Sequence, residues 1–132
     1  MEKFYPRYLF TYGTLMQNFT NPFAEKLRLT AIFEGAGFFT GKLYRIDWYP
    51  GALFEENGKS RVYGEIYKLT SLSVLKELDE YEDVFEDETS SLYLRKVVPV
   101  IMENGAQLLC WTYLYNQPIE ADKQIITGRF EG

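Results

Sequence analysis

Histidine is missing from the 132 residues altogether, and cysteine occurs once. Without histidine there is no Ser-His-Asp or Cys-His relay and no imidazole-ligated zinc, so any acid–base chemistry falls to Glu, Asp, Tyr or Lys. Cys110 alone cannot close an internal disulfide, which points to a reducing compartment, the cytoplasm. It lies in "LLCWTYL", a strand-like run with no activating neighbour, and reads as a packed thiol rather than a nucleophile. Positive charge is in deficit, with 14 Lys and Arg against 19 Asp and Glu, a net charge of -5 and a pI near 4.8. Phosphate backbones would be repelled, so nucleic acid is not expected as a partner. No apolar run is long enough to span a membrane, and "MEKFYPRYLF" has neither the apolar stretch nor the cleavage site of a leader.

What is present is aromatic. Phe, Trp and Tyr make up 17% of the chain, with 11 Tyr and 10 Phe, which suits a β-rich core or a ring-lined cavity. The length fits one domain over residues 1–132. Residues 7–12 alternate as a first strand. Asn21-Pro22 caps a short helix reaching about Arg28, with Glu25 in its opening turn. Strands are expected over 33–39 and 42–47, broken at Gly35, Gly37 and Gly41, and over 52–55. Asn57-Gly58 suggests a hairpin into a strand over 61–69. Leu72, Leu75, Leu78 and Tyr81 recur every three residues and predict a helix over 71–82. Strands over 91–102 and 106–115 follow, with Pro99 implying an edge or a bulge in the first. The tail reads as loop. Many strands with one or two short helices indicate an α+β fold or a small mixed barrel.

Glu82 is the sharpest local anomaly. It shares a helix face with Leu75, Leu78 and Asp79, the face expected to meet the core. Two readings stand: a frayed helix end pointing to water, or a partly buried carboxyl whose pKa rises toward that of a general acid/base. Residues 79–88 hold seven acids in ten positions without the glycine and ligand spacing of a calcium loop, so a solvated acidic loop is expected and no metal. A Glu65–Glu82 glycosidase pair can be imagined, though nothing fixes its separation. Tyr93, Arg95 and Val97 share one strand face, where Arg95 either faces solvent or pairs with a carboxylate. Trp111, Tyr113 and Tyr115 share another, as core or as hydroxyl donors into a cavity. In "YLFTYGTL" a strand ends at Tyr12. Gly13 permits unusual torsions there, leaving the amides of Gly13, Thr14 and Leu15 as an ordinary turn or as a small anion site.

In order along the chain, "YLFTYGTL", "YPGA", "VYGEIYKL", "LKELDEYE", "YLRKVV", "CWTYLYNQP" and "TGRF" resemble the signatures of the γ-glutamylcyclotransferase-like superfamily, in its AIG2-like, γ-glutamylamine branch. The resemblance implies a small mixed β-barrel with short flanking helices and a cavity at one side. It implies a small-molecule γ-glutamyl substrate held by Tyr12, Gly13, Thr14 and Leu15, with Tyr93 also at the site, and Glu82 as general acid/base releasing 5-oxoproline. Neither cofactor nor metal is implied. The sequence departs from the family in placing Asp83 where glycine usually follows the glutamate, and in a longer acidic loop before Tyr93. A binding module on the same scaffold, without turnover, is the alternative. The oligomeric state is left open.

Overall fold

The computed structural model describes residues 6–16 and 20–131; the opening residues, on which the absence of a leader was partly read, lie outside these. Strands β1 (Tyr8–Thr11), β2 (Ala31–Arg45), β3 (Pro50–Phe54), β4 (Arg61–Leu69), β5 (Tyr93–Met102) and β6 (Gln107–Tyr115) form one sheet, with helices α1 (Pro22–Thr30) and α2 (Val74–Tyr81). The order is β3-β2-β4-β1-β6-β5, and a further β2–β5 pairing closes β2, β4, β1, β6 and β5 into a five-stranded barrel. The β1–β6 joint is parallel and the other pairings are antiparallel, so the barrel is mixed, as expected.

All five barrel strands contribute to one apolar cluster, among them Phe10, Phe39, Ile66, Val98 and Cys110, which therefore fills the interior. Phe130 of the tail joins it. A second cluster packs the helices on the outside through Leu27, Leu75 and Leu78 against Leu9, Tyr67, Leu69 and Tyr113. Alternation along β1 sends Phe10 and Tyr12 to the first cluster and Leu9 to the second. Helix α1 starts as its sequence says: Asn21 Oδ1 accepts the Ala24 amide at 2.8 Å, and Pro22 occupies the first turn.

Two expectations fail. The strands foreseen over 33–39 and 42–47 are one 15-residue strand, β2, because its glycines serve packing instead of breaking it. A Cβ on Gly37 would stand 2.6 Å from the Ile101 carbonyl oxygen, where β5 closes the barrel. Gly35, at φ 137°, takes up a register shift against β4. Nor does Asn57-Gly58 make a hairpin: β3 and β4 both pair with β2, at residues 41–45 and 31–40, so the turn is an excursion between successive partners of one strand. Pro99 keeps regular register opposite Leu109, and β5 pairs with β2 only through Ile101 and Met102, so Pro99 lies on a one-sided edge without a bulge. Among the described residues no helix is long and apolar enough to cross a membrane.

Candidate functional site

The chain leaves β1 at Thr11 and turns through Tyr12–Met16 at one end of the barrel. Every side of this turn is fastened. The Tyr12 hydroxyl donates to the Tyr113 carbonyl and accepts the Ala52 amide at 3.2 Å. The Thr14 hydroxyl meets the Tyr81 hydroxyl at 2.8 Å, and the Thr14 carbonyl accepts Asn21 Nδ2 at 2.8 Å. Leu15 is buried against the helices, and the Met16 amide closes the turn onto the Gly13 carbonyl at 3.1 Å. Among the described residues, the amides of Gly13, Thr14 and Leu15 donate to no protein acceptor. Gly13 is needed for a reason other than the one expected. Its φ is not in the left-handed region, but an added Cβ would lie 2.9 Å from Pro50 Cγ, so the glycine permits close packing of the turn on β3.

Glu82 caps the C-terminus of α2, its amide still bonded to the Leu78 carbonyl at 2.9 Å, so the helix does not fray before it. The residue is half-buried, and its carboxyl lies deep in the molecule where it opens on the cavity. No hydrogen bond reaches that carboxyl among the described residues. Burial, reinforced by the neighbouring Asp83 charge, pushes it up to about 8. Asp83 fills the position where glycine is usual in the resembled family, at φ 53°, a left-handed conformation costly for a side chain.

One turn earlier, Asp79 organises the helix end. Arg95 grips it twice, Nε to Oδ1 at 2.7 Å and Nη2 to Oδ2 at 3.1 Å, and stacks its guanidinium 4.5 Å over the Trp111 ring. The Tyr113 hydroxyl donates to the same Asp79 Oδ1 at 2.7 Å, while the Asp79 carbonyl accepts the Val84 amide at 2.9 Å. Arg95 thus pairs with a carboxylate of the protein, one of the two alternatives its pattern left open.

A cavity of about 250 Å³ joins these parts. Its wall includes Tyr12, Gly13, Thr14, Leu15, Glu82 and Tyr93, so the six residues singled out from sequence share one space. Tyr93 is held by donating to the Pro50 carbonyl. Burial above all raises the hydroxyls of Tyr12, Tyr93 and Tyr113 well above the ordinary tyrosine range, joined by the Glu82 charge at Tyr12, by Tyr12 and then Glu82 at Tyr93, and by Asp79 at Tyr113, which makes them fixed donors and not bases. Glu65 lies outside this wall, so the imagined carboxylate pair is not brought together. Of the acidic loop, only Asp83 borders the cavity. Further along, the loop is tied back by the Ser91 hydroxyl, which accepts the Phe85 amide at 2.7 Å, and by Asn116 and Gln117, which donate to the Glu88 and Ser91 carbonyls at 2.6 and 2.7 Å. Thr11, Trp48 and Tyr81 also line the site and were not foreseen; nothing in their local pattern distinguishes them from core or surface residues.

The chain is similar to known proteins in both sequence and fold. The family described as "Gamma-glutamyl cyclotransferase, AIG2-like" matches residues 9–131. The "Gamma-L-glutamyl-butirosin B gamma-glutamyl cyclotransferase" of Niallia circulans is 32% identical over 113 residues, 83% of this chain and 67% of that protein. An AIG2-like protein of Mus musculus superimposes with a TM-score of 0.74 at 25% identity, over 97% of this chain and 90% of its own. YkqA of Bacillus subtilis gives 0.71 at 21% identity over 96% of this chain, which spans only 40% of that protein.

Proposed function

The chain belongs to the γ-glutamyl cyclotransferase, AIG2-like family and is a cyclotransferase-like enzyme, and from that premise we propose that it releases 5-oxoproline and a free amine from a γ-glutamyl amine or γ-glutamyl peptide, with Glu82 as general acid/base. One domain carries the whole reaction. The observation that supports this most is a carboxyl pushed up to about 8 in the same small cavity as three amides, with no protein partner for any of them among the described residues.

The chemistry follows from charge and reach. The glutamyl α-carboxylate docks on the amides of Gly13, Thr14 and Leu15. The α-ammonium gives a proton to the Glu82 carboxylate, whose raised pKa makes it a stronger base toward an amine than an ordinary carboxylate. The amine lone pair then attacks the γ-carbonyl carbon of the same molecule and closes a five-membered ring. As the tetrahedral centre collapses, Glu82 returns that proton to the departing nitrogen, the γ C–N bond breaks, and the carboxylate then takes the second proton from the ring nitrogen, leaving the neutral lactam and a free amine. No water is consumed. Because nucleophile and electrophile are already joined, the enzyme's main task is to hold a ring-ready conformer, which the packed tyrosine walls are suited to do. About 250 Å³ is small beside the roughly 300–1,000 Å³ of common ligand sites. The glutamyl head fits inside while the amine portion extends past Trp48 and Asp83.

The test is 5-oxoproline release from a panel of γ-glutamyl amines and dipeptides, by wild type and Glu82→Gln. Release from at least one member, abolished in the variant, is expected. Release undiminished in the variant would remove Glu82 from the chemistry. No release, with 5-oxoproline still raising the melting temperature of both proteins, would assign the scaffold to binding without turnover.

A further inference from the structure

Thr11 is the last residue of β1, immediately before the site turn. It is only 4% exposed, and its Oγ1 is the buried side-chain polar atom for which no hydrogen-bond partner is found among the described residues. Another buried strand threonine, Thr112, shows the usual arrangement, giving its hydroxyl to the Phe10 carbonyl at 3.0 Å. An orphaned hydroxyl is a cost that valine, of the same shape and with a good strand propensity, would avoid. Thr11 also belongs to the cavity wall, beside Tyr12, Gly13 and Glu82.

Among the described residues, the wall's other hydroxyls are committed except that of Tyr49 and one of the Thr14–Tyr81 pair. Tyr12 donates to the Tyr113 carbonyl, Tyr93 to the Pro50 carbonyl and Tyr113 to Asp79, while Thr14 and Tyr81 share one bond between them. Among the described residues the wall holds no lysine or arginine, and its charged groups are Glu82 and Asp83, both acids. A carboxylate entering this space has about four lone-pair directions to satisfy. The donors open to it are the turn amides and the hydroxyls of Thr11 and Tyr49, with the exposed Trp48 indole N–H, and of these side chains only Thr11 is shut away from water. We propose that Thr11 is a substrate-binding residue, whose hydroxyl leaves its orphaned state by donating to the α-carboxylate of the glutamyl head. The proposal rests on the cyclotransferase reading for the identity of that head. Because Oγ1 is itself buried, the proposal includes a rotation about Cα–Cβ that turns the hydroxyl toward the cavity.

The experiment uses the intact protein, wild type, Thr11→Val and Thr11→Ser, with 5-oxoproline and with 2-pyrrolidinone, the same ring lacking the carboxylate. Binding is measured by calorimetry, and thermal unfolding without ligand. Thr11→Val is expected to melt no lower than wild type, because it loses an unsatisfied group, yet to bind 5-oxoproline about tenfold more weakly. Its affinity for 2-pyrrolidinone is expected to be unchanged, and Thr11→Ser to restore 5-oxoproline binding. A structural hydroxyl would show the reverse, a lower melting temperature and an unaltered ratio between the two ligands. Wild-type affinity of Thr11→Val for 5-oxoproline overturns the proposal and leaves the reaction standing. Weakened binding alongside undiminished turnover by Glu82→Gln would leave Thr11 in place and overturn the role of Glu82. Failure of the wild type to bind 5-oxoproline at all overturns both.

Discussion

Replacing Glu82 with glutamine should make the protein's stability less sensitive to alkali. The carboxyl is pushed from 4.5 to about 8, chiefly by burial and secondly by Asp83. A carboxyl raised in the folded state keeps its proton there after the unfolded chain has lost its own. Its contribution is therefore fully present below pH about 4.5, declines as pH rises from there to about 8, and is flat above. Each unit of displacement corresponds to about 1.36 kcal/mol, so the ionised form costs the wild type about 3–5 kcal/mol at high pH. Glutamine is neutral throughout and makes no such demand. Urea unfolding of both proteins between about pH 4 and pH 9 isolates this group, since every other titration is common to the pair and cancels in the difference. The stability of Glu82→Gln minus that of wild type is expected to grow by about 3–5 kcal/mol across the range. A difference that stays within about 1 kcal/mol would mean that Glu82 titrates as a surface acid, and its raised basicity toward the substrate amine would be lost.

Two further substitutions test the surroundings. Gly13→Ala places a methyl 2.9 Å from Pro50 Cγ, so the turn must shift off β3; a loss of turnover of about tenfold or more, with an unchanged circular dichroism spectrum, is expected. Asp79→Ala strips Arg95 of both its bonds and Tyr113 of its acceptor in a half-buried setting, and should cost about 2–3 kcal/mol in urea unfolding.

Much of the site was legible because its signals are local. The turn after Tyr12 stands beside its own strand, and Leu75 and Leu78, seven and four residues before Glu82, set it on the apolar face at the end of α2, although the helix begins at Val74 and leaves the expected Leu72 exposed outside it. The parts that escaped depend on distant partners. Gly37 and Gly41 look like breaks until β5 and β3 are seen pressing against them. Asn57-Gly58 has hairpin chemistry, but β2 is long enough to take both flanking strands as successive partners, and that pairing overrode the turn. The orphaned state of Thr11 is invisible in sequence, since it is a fact about every neighbour its hydroxyl might have had. The clasp of Asp79 by Arg95 and Tyr113 spans separations of 16 and 34 residues, beyond the reach of any periodic pattern.

The parallel joint between β1 and β6 has a bearing on how the protein comes into being. Tyr12 is fixed by a carbonyl 101 residues later in the chain, and β1 can enter the barrel only between β4 and β6. A nascent chain that has emerged as far as β5 already contains Gly13 and Glu82, but not the strand that sets one against the other. Of the six strands β1 is thus completed only by β6, made last, and contacts so distant in sequence slow folding. Catalytic competence would arrive with the completed ring and not by stages, sparing the cell half-built forms that bind substrate without turning it over.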